Sequence, residues 1–335
     1  MSNDTNTQVR LAKRPVGEPT HDDFEMTQEP TPKAGSNEMV VASRYLSLDP
    51  AMRGWMREGK SYIDPVNPGD VMRALGVGEV IESNHPDFQV GDTVSGMLGI
   101  QAYIKSDGKG FHKVDPNLAP LPTYLNTLGM TGMTAYFALL EVGAPQVGET
   151  VVISGAAGAV GSIAGQIAKL KGCRVIGIAG GAKKCALLVD ELGFDGAIDY
   201  KKEDLNAALK RECPKGVNVF FDNVGGDILD AVLGRLAPKA RVIICGAISQ
   251  YNNKEAVKGP ANYLSLLVNR ARMEGFVVMD YAPRFAEASK EMAGWLASGQ
   301  LKSREDIVEG LQTFPETLLK LFSGENFGKL VLKVG

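Results

Sequence analysis

The run Val151-Val152-Ile153-Ser154-Gly155-Ala156-Ala157-Gly158-Ala159-Val160-Gly161-Ser162 constrains this chain more than any other feature. Apolar residues come first, as in a strand buried on both faces; small residues then force a tight turn, and Ile163 to Leu170 reads as a helix. Glycine at 155 and 158 lets the backbone bend sharply and approach an anion, and Gly161 lets the helix lie close against the strand. The start of that helix offers N–H groups and a partial positive charge to a pyrophosphate. The spacing is G-x-x-G-x-x-G rather than the strict G-x-G-x-x-G, so in isolation the motif also fits a plain strand-to-helix connection.

Its context favours dinucleotide binding. Strands are expected at Thr150 to Ser154, Arg174 to Ala179, Gly196 to Asp199, Val217 to Asp222, Ala240 to Gly246 and Arg272 to Val278, with helical patterns between most of them and a helical stretch at Leu128 to Val142. Strand–helix alternation of this kind predicts an α/β fold, a doubly wound parallel Rossmann sheet. An NAD enzyme usually ends its second strand with an acidic residue on the ribose hydroxyls. Here Gly180, Gly181 and Ala182 follow Ala179, and Lys183 and Lys184 come next, so a phosphorylated cofactor, NADPH, is preferred over NADH; two solvated surface lysines are the plainer reading of that pair. Asp222-Asn223-Val224-Gly225-Gly226 and Cys245-Gly246-Ala247-Ile248-Ser249-Gln250-Tyr251 follow two further strands, where ligands bind in such sheets. Asn223 fits either a ligand contact or a turn cap.

Ahead of this region, Met39 to Tyr45, Gly76 to Glu82, Asp92 to Ser95 and Ala102 to Lys105 read as short strands separated by glycine and proline, which predicts a compact β domain. After Gly299 come a β-like run at Ile307 to Glu309, a helix at Thr313 to Phe322 and a strand at Lys329 to Val334 that by pattern alone fits either sheet. A chain of 335 residues suits two such domains. A formal net charge of -3 gives no basic field for nucleic acid or an anionic membrane. The polar start, without an apolar stretch, reads as lacking an export signal, and a cytoplasmic enzyme is expected. Cys173, Cys185, Cys213 and Cys245 are spread without metal-ligand spacing and lie far from His21, His85 and His112, so they read as reduced thiols and no metal is expected.

With these residues in hand, the chain resembles the zinc-independent branch of the medium-chain dehydrogenase/reductase family, in the group of curcumin reductases, 2-alkenal double-bond reductases and prostaglandin reductases. The resemblance rests on Tyr45-Leu46-Ser47-Leu48-Asp49-Pro50, Gly129-Met130 with Gly132 and Thr134-Ala135-Tyr136, the Gly155 to Ser162 turn, Leu192-Gly193-Phe194-Asp195, Asp222 to Gly226, Cys245 to Asn252, Glu274-Gly275-Phe276-Val277-Val278 and Asn326-Phe327-Gly328-Lys329. It implies a GroES-like β domain for substrate and catalysis over residues 1–125, an NADP-binding Rossmann domain over 126–300 and a return to the first domain over 301–335, with the cofactor in the cleft between. It also implies cofactor contacts at Gly158, Ala159, Val160, Gly161 and Ser162, with Lys184 and Tyr200 at the 2′-phosphate. Asn223, Cys245, Gly246, Ala247, Ile248, Ser249, Tyr251, Phe276, Val277, Val278 and Asn326 fall along the cofactor, and Met130 and Thr134 beside the nicotinamide. Relatives often pair through the edge of the Rossmann sheet, so a homodimer is an expectation of the resemblance alone.

Zinc alcohol dehydrogenases need a Cys and a His-Glu pair that this sequence lacks, which points away from alcohol oxidation. The expected reaction is reduction of the carbon–carbon double bond of a small enone or enal: hydride to the β-carbon, an enolate on the carbonyl oxygen, then a proton at the α-carbon. Tyr251 is the expected donor to the enolate oxygen, with Tyr62 and Tyr263 as pocket-lining or relay groups; structural roles are the alternative for all three. A quinone reductase and a non-catalytic NADPH-binding protein are the competing functions. Ala51 stands where relatives commonly have a tyrosine facing the pocket, Thr131 where many have proline and Ile100 where bacterial relatives often have tryptophan, so curcumin itself is not carried over as the substrate. Met52, Met56, Met97, Met133 and Met279 are candidates for an adaptable apolar wall, or ordinary core.

Overall fold

A computed structural model describes residues 5–335. The chain divides into two units, one running up to Leu125 and resuming at Glu305–Gly335, the other spanning Asn126–Arg304. In the first, β1 (Thr5–Leu11) and β2 (Phe24–Pro30) form an antiparallel hairpin, followed by β3 (Met39–Ser47), the short α1 (Met52–Trp55), β4 (Leu75–Ser83), β5 (Thr93–Met97), β6 (Tyr103–Ser106) and β7 (His112–Lys113). The second unit opens with α2 (Met130–Phe137) and continues through β8 (Thr150–Ser154), α3 (Ala159–Leu170), β9 (Arg174–Ala179), α4 (Ala182–Ala186), β10 (Gly196–Asp199), α5 (Leu205–Glu212), β11 (Val217–Asp222), α6 (Gly226–Leu233), β12 (Leu236–Ile244), α7 (Ser265–Asn269), β13 (Arg272–Gly275) and α8 (Phe285–Ala297). The chain then returns to the first unit with β14 (Glu305–Glu309), α9 (Phe314–Ser323) and β15 (Lys329–Lys333).

The second unit holds a six-stranded parallel sheet in the order β10-β9-β8-β11-β12-β13, the doubly wound arrangement whose strand order reverses between β8 and β11. Every residue of β8 is buried, as are Val219 to Asp222 of β11, because helices cover both faces of a parallel sheet and leave no polar side for the strands to alternate toward. In the first unit the sheet runs β14-β15-β3-β4-β5-β7, with β6 also on β3, and Leu46, Val80, Val94, Phe314, Leu318 and Leu330 share its core. There the buried Lys329 donates from Nζ to Leu48 O at 2.9 Å and to Asp49 Oδ1 at 2.5 Å, which fastens the Ser47-to-Pro50 motif to the start of β15.

Several expectations are corrected. The β1–β2 hairpin is absent from the sequence reading because β2, Phe-Glu-Met-Thr-Gln-Glu-Pro, is almost wholly exposed and carries no apolar alternation. β12 begins four residues early, at Leu236, because Pro238 and the left-handed Lys239 (φ 65°) disguise a strand that pairs with β11 through an irregular register. β13 stops at Gly275 instead of Val278; Val278–Arg284 winds into a tight helical segment in which Tyr281 stacks on Phe137 with ring centres 5.0 Å apart. The Leu128 to Val142 helix is α-helical only over Met130–Phe137 and widens over Ala138–Gly143. Residues 301–304 stay with the second unit: Lys302 N–H donates to Gln166 Oε1 at 2.8 Å, and Ser303 Oγ accepts from Asn126 Nδ2 at 3.0 Å. Met52, Met56 and Met133 are ordinary core residues, at most 2% exposed, rather than parts of an adaptable wall, and Ile100 is fully buried.

Candidate cofactor and active site

The glycine turn has the geometry its composition implies. Gly155 adopts φ +58°, a left-handed conformation that a side chain resists, and Gly158 N–H closes the turn on Gly155 O at 2.9 Å. Gly158 then caps α3 with extended backbone and no side-chain cap, so the first N–H groups of the helix have no intrahelical acceptor. Gly161 packs the helix onto the turn: a Cβ there would lie 2.5 Å from Gly155 O and 2.8 Å from Ala156 Cα. Ala159 and Val160 are partly exposed, whereas Ser162 is 6% exposed and its Oγ donates to Ala159 O at 3.1 Å, inside the helix.

At the next strand end Gly181 is left-handed (φ +95°) and leads into α4, which carries Lys183 and Lys184. β10 ends beside it. A methyl on Gly180 would lie 2.9 Å from Lys201 Cε and 3.0 Å from the Tyr200 ring, so both side chains extend over this glycine. Tyr200 also borders a groove of about 390 Å³ lined by Asp204, Asp227 and Asp230. That acidic lining has the wrong charge for a phosphate, whereas Lys201 beside Gly180 has the right one.

β8 and β11 are bolted together at their ends by a buried network. Ser154 Oγ donates to Asp222 Oδ1 at 2.7 Å and accepts the Asn223 N–H at 2.8 Å, and the same carboxylate oxygen accepts the Val224 and Gly225 N–H groups at 3.0 Å. Burial raises the Asp222 pKa above the usual carboxylate range, against the lowering effect of those bonds. Asn223 donates from its side-chain amide nitrogen to Ser154 O at 2.8 Å, the turn-tying role, which leaves its second amide hydrogen and its side-chain carbonyl for a ligand contact. The loop after β12 hangs from this network. Cys245 and Gly246 N–H groups donate to Asp222 O, Ile248 N–H to Asn223 O, and Ser249 Oγ to Val224 O at 2.6 Å. Within it the Tyr251 phenol folds back to accept the Ala247 N–H at 3.2 Å. Burial, and then the Asp222 carboxylate, push the Cys245 thiol up to about 12, so it is a neutral packing group at pH 7.

Two more segments carry residues of the expected site. Phe276 continues β12 pairing through its N–H to Ile244 O at 3.2 Å, and its ring stacks on Tyr281 at 5.4 Å, ahead of Val277 and Val278. On α2, Met130 and Thr134 share one partly exposed face, and Thr134 Oγ1 donates to Met130 O at 2.8 Å. These residues suit a phosphorylated dinucleotide: a left-handed glycine, a helix start packed without a side chain in the way, and lysines where an acid would repel the extra phosphate.

The comparisons with known proteins agree. Residues 7–114 match the family described as the N-terminal domain of oxidoreductase, and residues 159–295 match the zinc-binding dehydrogenase family. The chain is 42% identical to the NADPH-dependent curcumin reductase of Escherichia coli over 97% of this chain and 95% of that protein. It is 43% identical to the NADP-dependent 2-alkenal reductase of Nicotiana tabacum over 98% of each. The chain belongs to the medium-chain dehydrogenase/reductase family. The solved structure of CurA from Vibrio vulnificus in complex with NADPH superposes with a TM-score of 0.94 at 44% identity, covering 98% of this chain and 99% of that one.

In this member of the medium-chain dehydrogenase/reductase family, no group of three His, Cys, Asp or Glu side chains among the described residues is arranged to hold a metal ion. Of the sequence-derived site residues, Tyr62 and Asn326 belong to the first unit, where Tyr62 is 67% exposed and Asn326 donates to Gly328 O at 2.9 Å. Tyr263 lies in the second unit, 57% exposed, next to Asn262, whose N–H bonds Asp230 Oδ1 of α6 at 2.7 Å. The sequence reading passed over Lys201 and Asp199; the run Asp-Tyr-Lys-Lys directly after a buried strand was the available signal.

Proposed function

We propose that this chain is an NADPH-dependent reductase of the carbon–carbon double bond of small α,β-unsaturated carbonyl compounds. The observation that carries the reading is the combination, on one sheet edge, of the Gly155-to-Ser162 turn with Lys184, Tyr200 and Lys201 in place of an acidic ribose ligand. The full-length similarity to curcumin and 2-alkenal reductases supports the choice of substrate class.

In this reading, NADPH when bound supplies the hydride. The α3 start, Gly158 to Ser162, holds the pyrophosphate, and Lys184, Tyr200 and Lys201 neutralise and orient the 2′-phosphate. Asn223, the residue 245–251 loop and Phe276 to Val278 line the rest of the cofactor, with Met130 and Thr134 beside the nicotinamide. Tyr251 donates its phenolic proton in a hydrogen bond to the substrate carbonyl oxygen, where negative charge develops as the β-carbon is reduced. The Ala247 N–H on the phenol oxygen fixes its orientation and polarises it, which strengthens it as a donor. Purified protein with NADPH and, side by side, an enal, an enone and a quinone is the direct test: turnover of the first two is expected, and oxidation of NADPH by the quinone alone would replace this reading.

Lys184→Ala is expected to weaken NADPH by about tenfold to about a hundredfold, the loss of one charge-assisted contact, while NADH changes by less than about threefold. Titration of both cofactors into the variant reads this out; equal losses would remove Lys184 from the phosphate.

We further propose a cytoplasmic homodimer. The four cysteines are free thiols, as a reducing compartment keeps them. No helix among the described residues is long and apolar enough to cross a membrane. β13 is the edge of its sheet with all its residues exposed, and beside it in sequence Leu264, Leu267 and Val268 are 57%, 76% and 71% exposed, an apolar surface that a second copy would cover. Leu267→Asp is expected to convert the dimer to monomer in sedimentation analysis; a wild-type chain that sediments as a monomer would end this proposal.

A further inference from the structure

β10 ends on Asp199, which is 7% exposed, and its carboxylate is turned into the fold. Oδ1 accepts two backbone N–H groups, from Gly181 at 2.8 Å and from Lys201 at 3.1 Å. Oδ2 is buried and has no hydrogen-bond partner among the described residues. The residue's own backbone is held as well: its N–H donates to Glu203 Oε1 at 3.1 Å, and its carbonyl accepts from Lys202 and Glu203. One oxygen atom therefore ties the loop after β9, which leads to Lys184, to the loop after β10, which carries Tyr200 and Lys201.

A carboxylate kept out of water with one oxygen unpartnered costs the fold stability, and a neutral or exposed residue would be the cheaper way to end the strand. The geometry points to what the arrangement gains. Gly180 lies between the two loops, with Lys201 and Tyr200 extended over it. Releasing either N–H would let one cation-bearing loop drift from the other, and two cations grip a phosphate only when both are within charge-assisted hydrogen-bond reach of it.

We propose that Asp199 is a positioning residue for cofactor choice: by clamping the Gly181 and Lys201 N–H groups it assembles the 2′-phosphate site without touching the nucleotide. The inference rests on the reading that Lys184 and Lys201 face a phosphorylated nucleotide. It also separates geometry from charge. If Asp199 acts through its acceptor oxygen, asparagine, which keeps that acceptor and loses the negative charge, substitutes for it and alanine does not.

The test is calorimetric binding of 2′,5′-ADP and of 5′-ADP to the full chain, which needs no turnover. Wild-type protein is expected to prefer 2′,5′-ADP. In Asp199→Ala that preference falls about tenfold, and in Asp199→Asn it stays within about threefold, the difference expected from losing or keeping backbone hydrogen bonds. An alanine variant with wild-type preference, or an asparagine variant that falls as far as alanine, overturns the proposal. Should the alanine variant fail to fold, hydrogen exchange on the wild-type chain decides: slow exchange of both the Gly181 and Lys201 amides supports the clamp, and fast exchange at both refutes it. Failure of the underlying reading has a different signature, a wild-type protein that does not distinguish the two nucleotides at all.

Discussion

Gly161→Ala is expected to lower NADPH affinity by more than about a hundredfold, because α3 cannot keep its place once this residue carries a side chain; the figure corresponds to losing about two charge-assisted backbone contacts. The added Cβ would meet Gly155 O at 2.5 Å, Ala156 Cα at 2.8 Å and Gly155 C at 3.0 Å, all main-chain atoms of the turn itself. Flexible side chains can yield to a methyl group; a turn closed by its own hydrogen bond cannot. Either the turn opens or the helix start moves outward, and in both cases the N–H groups that hold the pyrophosphate lose register with it. The helix is also anchored behind, by Gln166 to the backbone of Lys302, so tilting about its far end is resisted. Overpacking of this kind costs about 1–3 kcal/mol of stability, so the variant should still fold at low temperature. Gly155→Ala is the control. Its Cβ has room, with Asn223 Cβ and Val224 Cγ2 at 3.5 Å, and pays only for the left-handed backbone, about 1–2 kcal/mol. NADPH fluorescence titration beside thermal melts checks the pair, and a Gly161→Ala protein binding NADPH as tightly as wild type would show that close helix packing is not what forms the site.

Why the sequence reveals some of this and hides the rest follows from burial. β8, β9 and β11 begin and end where the sequence places them, since a strand inside the sheet and covered on both faces is mostly apolar and its limits coincide with polar or glycine residues. At the sheet edge that requirement lapses. β13 is exposed, so nothing in Phe276 to Val278 distinguishes a continuing strand from the segment that instead turns to stack Tyr281 between Phe137 and Phe276. The hairpin β1–β2 is hidden for the same reason, its outer strand being mostly polar. Backbone-dictated features of the site, Gly155 with its left-handed φ and Gly161 with no space for a Cβ, are legible because glycine alone meets their geometry without strain. Side-chain direction is not: Ser162 turns its hydroxyl into its own helix, and Asn223 spends its amide on Ser154, neither of which composition or spacing encodes. Asp199 is the clearest loss, since an acidic residue closing a strand reads as solvated until its two N–H partners are seen.

Tyr251→Phe is expected to cut turnover about a hundredfold with an enal or enone while leaving NADPH affinity within about threefold, the pattern of a lost donor to developing oxyanion charge. The loop that presents this ring is fixed independently of the phenol, through Cys245, Gly246, Ile248 and Ser249 to the backbone at the end of β11, so removing one hydroxyl should not unseat it. What the substitution does remove is the acceptor for Ala247 N–H and the proton offered to the substrate. Accepting the Ala247 bond does not consume that proton, since a phenol oxygen accepts through its lone pairs and donates through its O–H. The effect should fall on kcat more than on KM, because the carbonyl oxygen carries most of its charge only as the β-carbon is reduced. Single-turnover kinetics under saturating NADPH isolates the chemical step from release. Unchanged turnover would exclude Tyr251 from the reaction; a parallel collapse of NADPH affinity would make it a cofactor ligand rather than the donor to substrate.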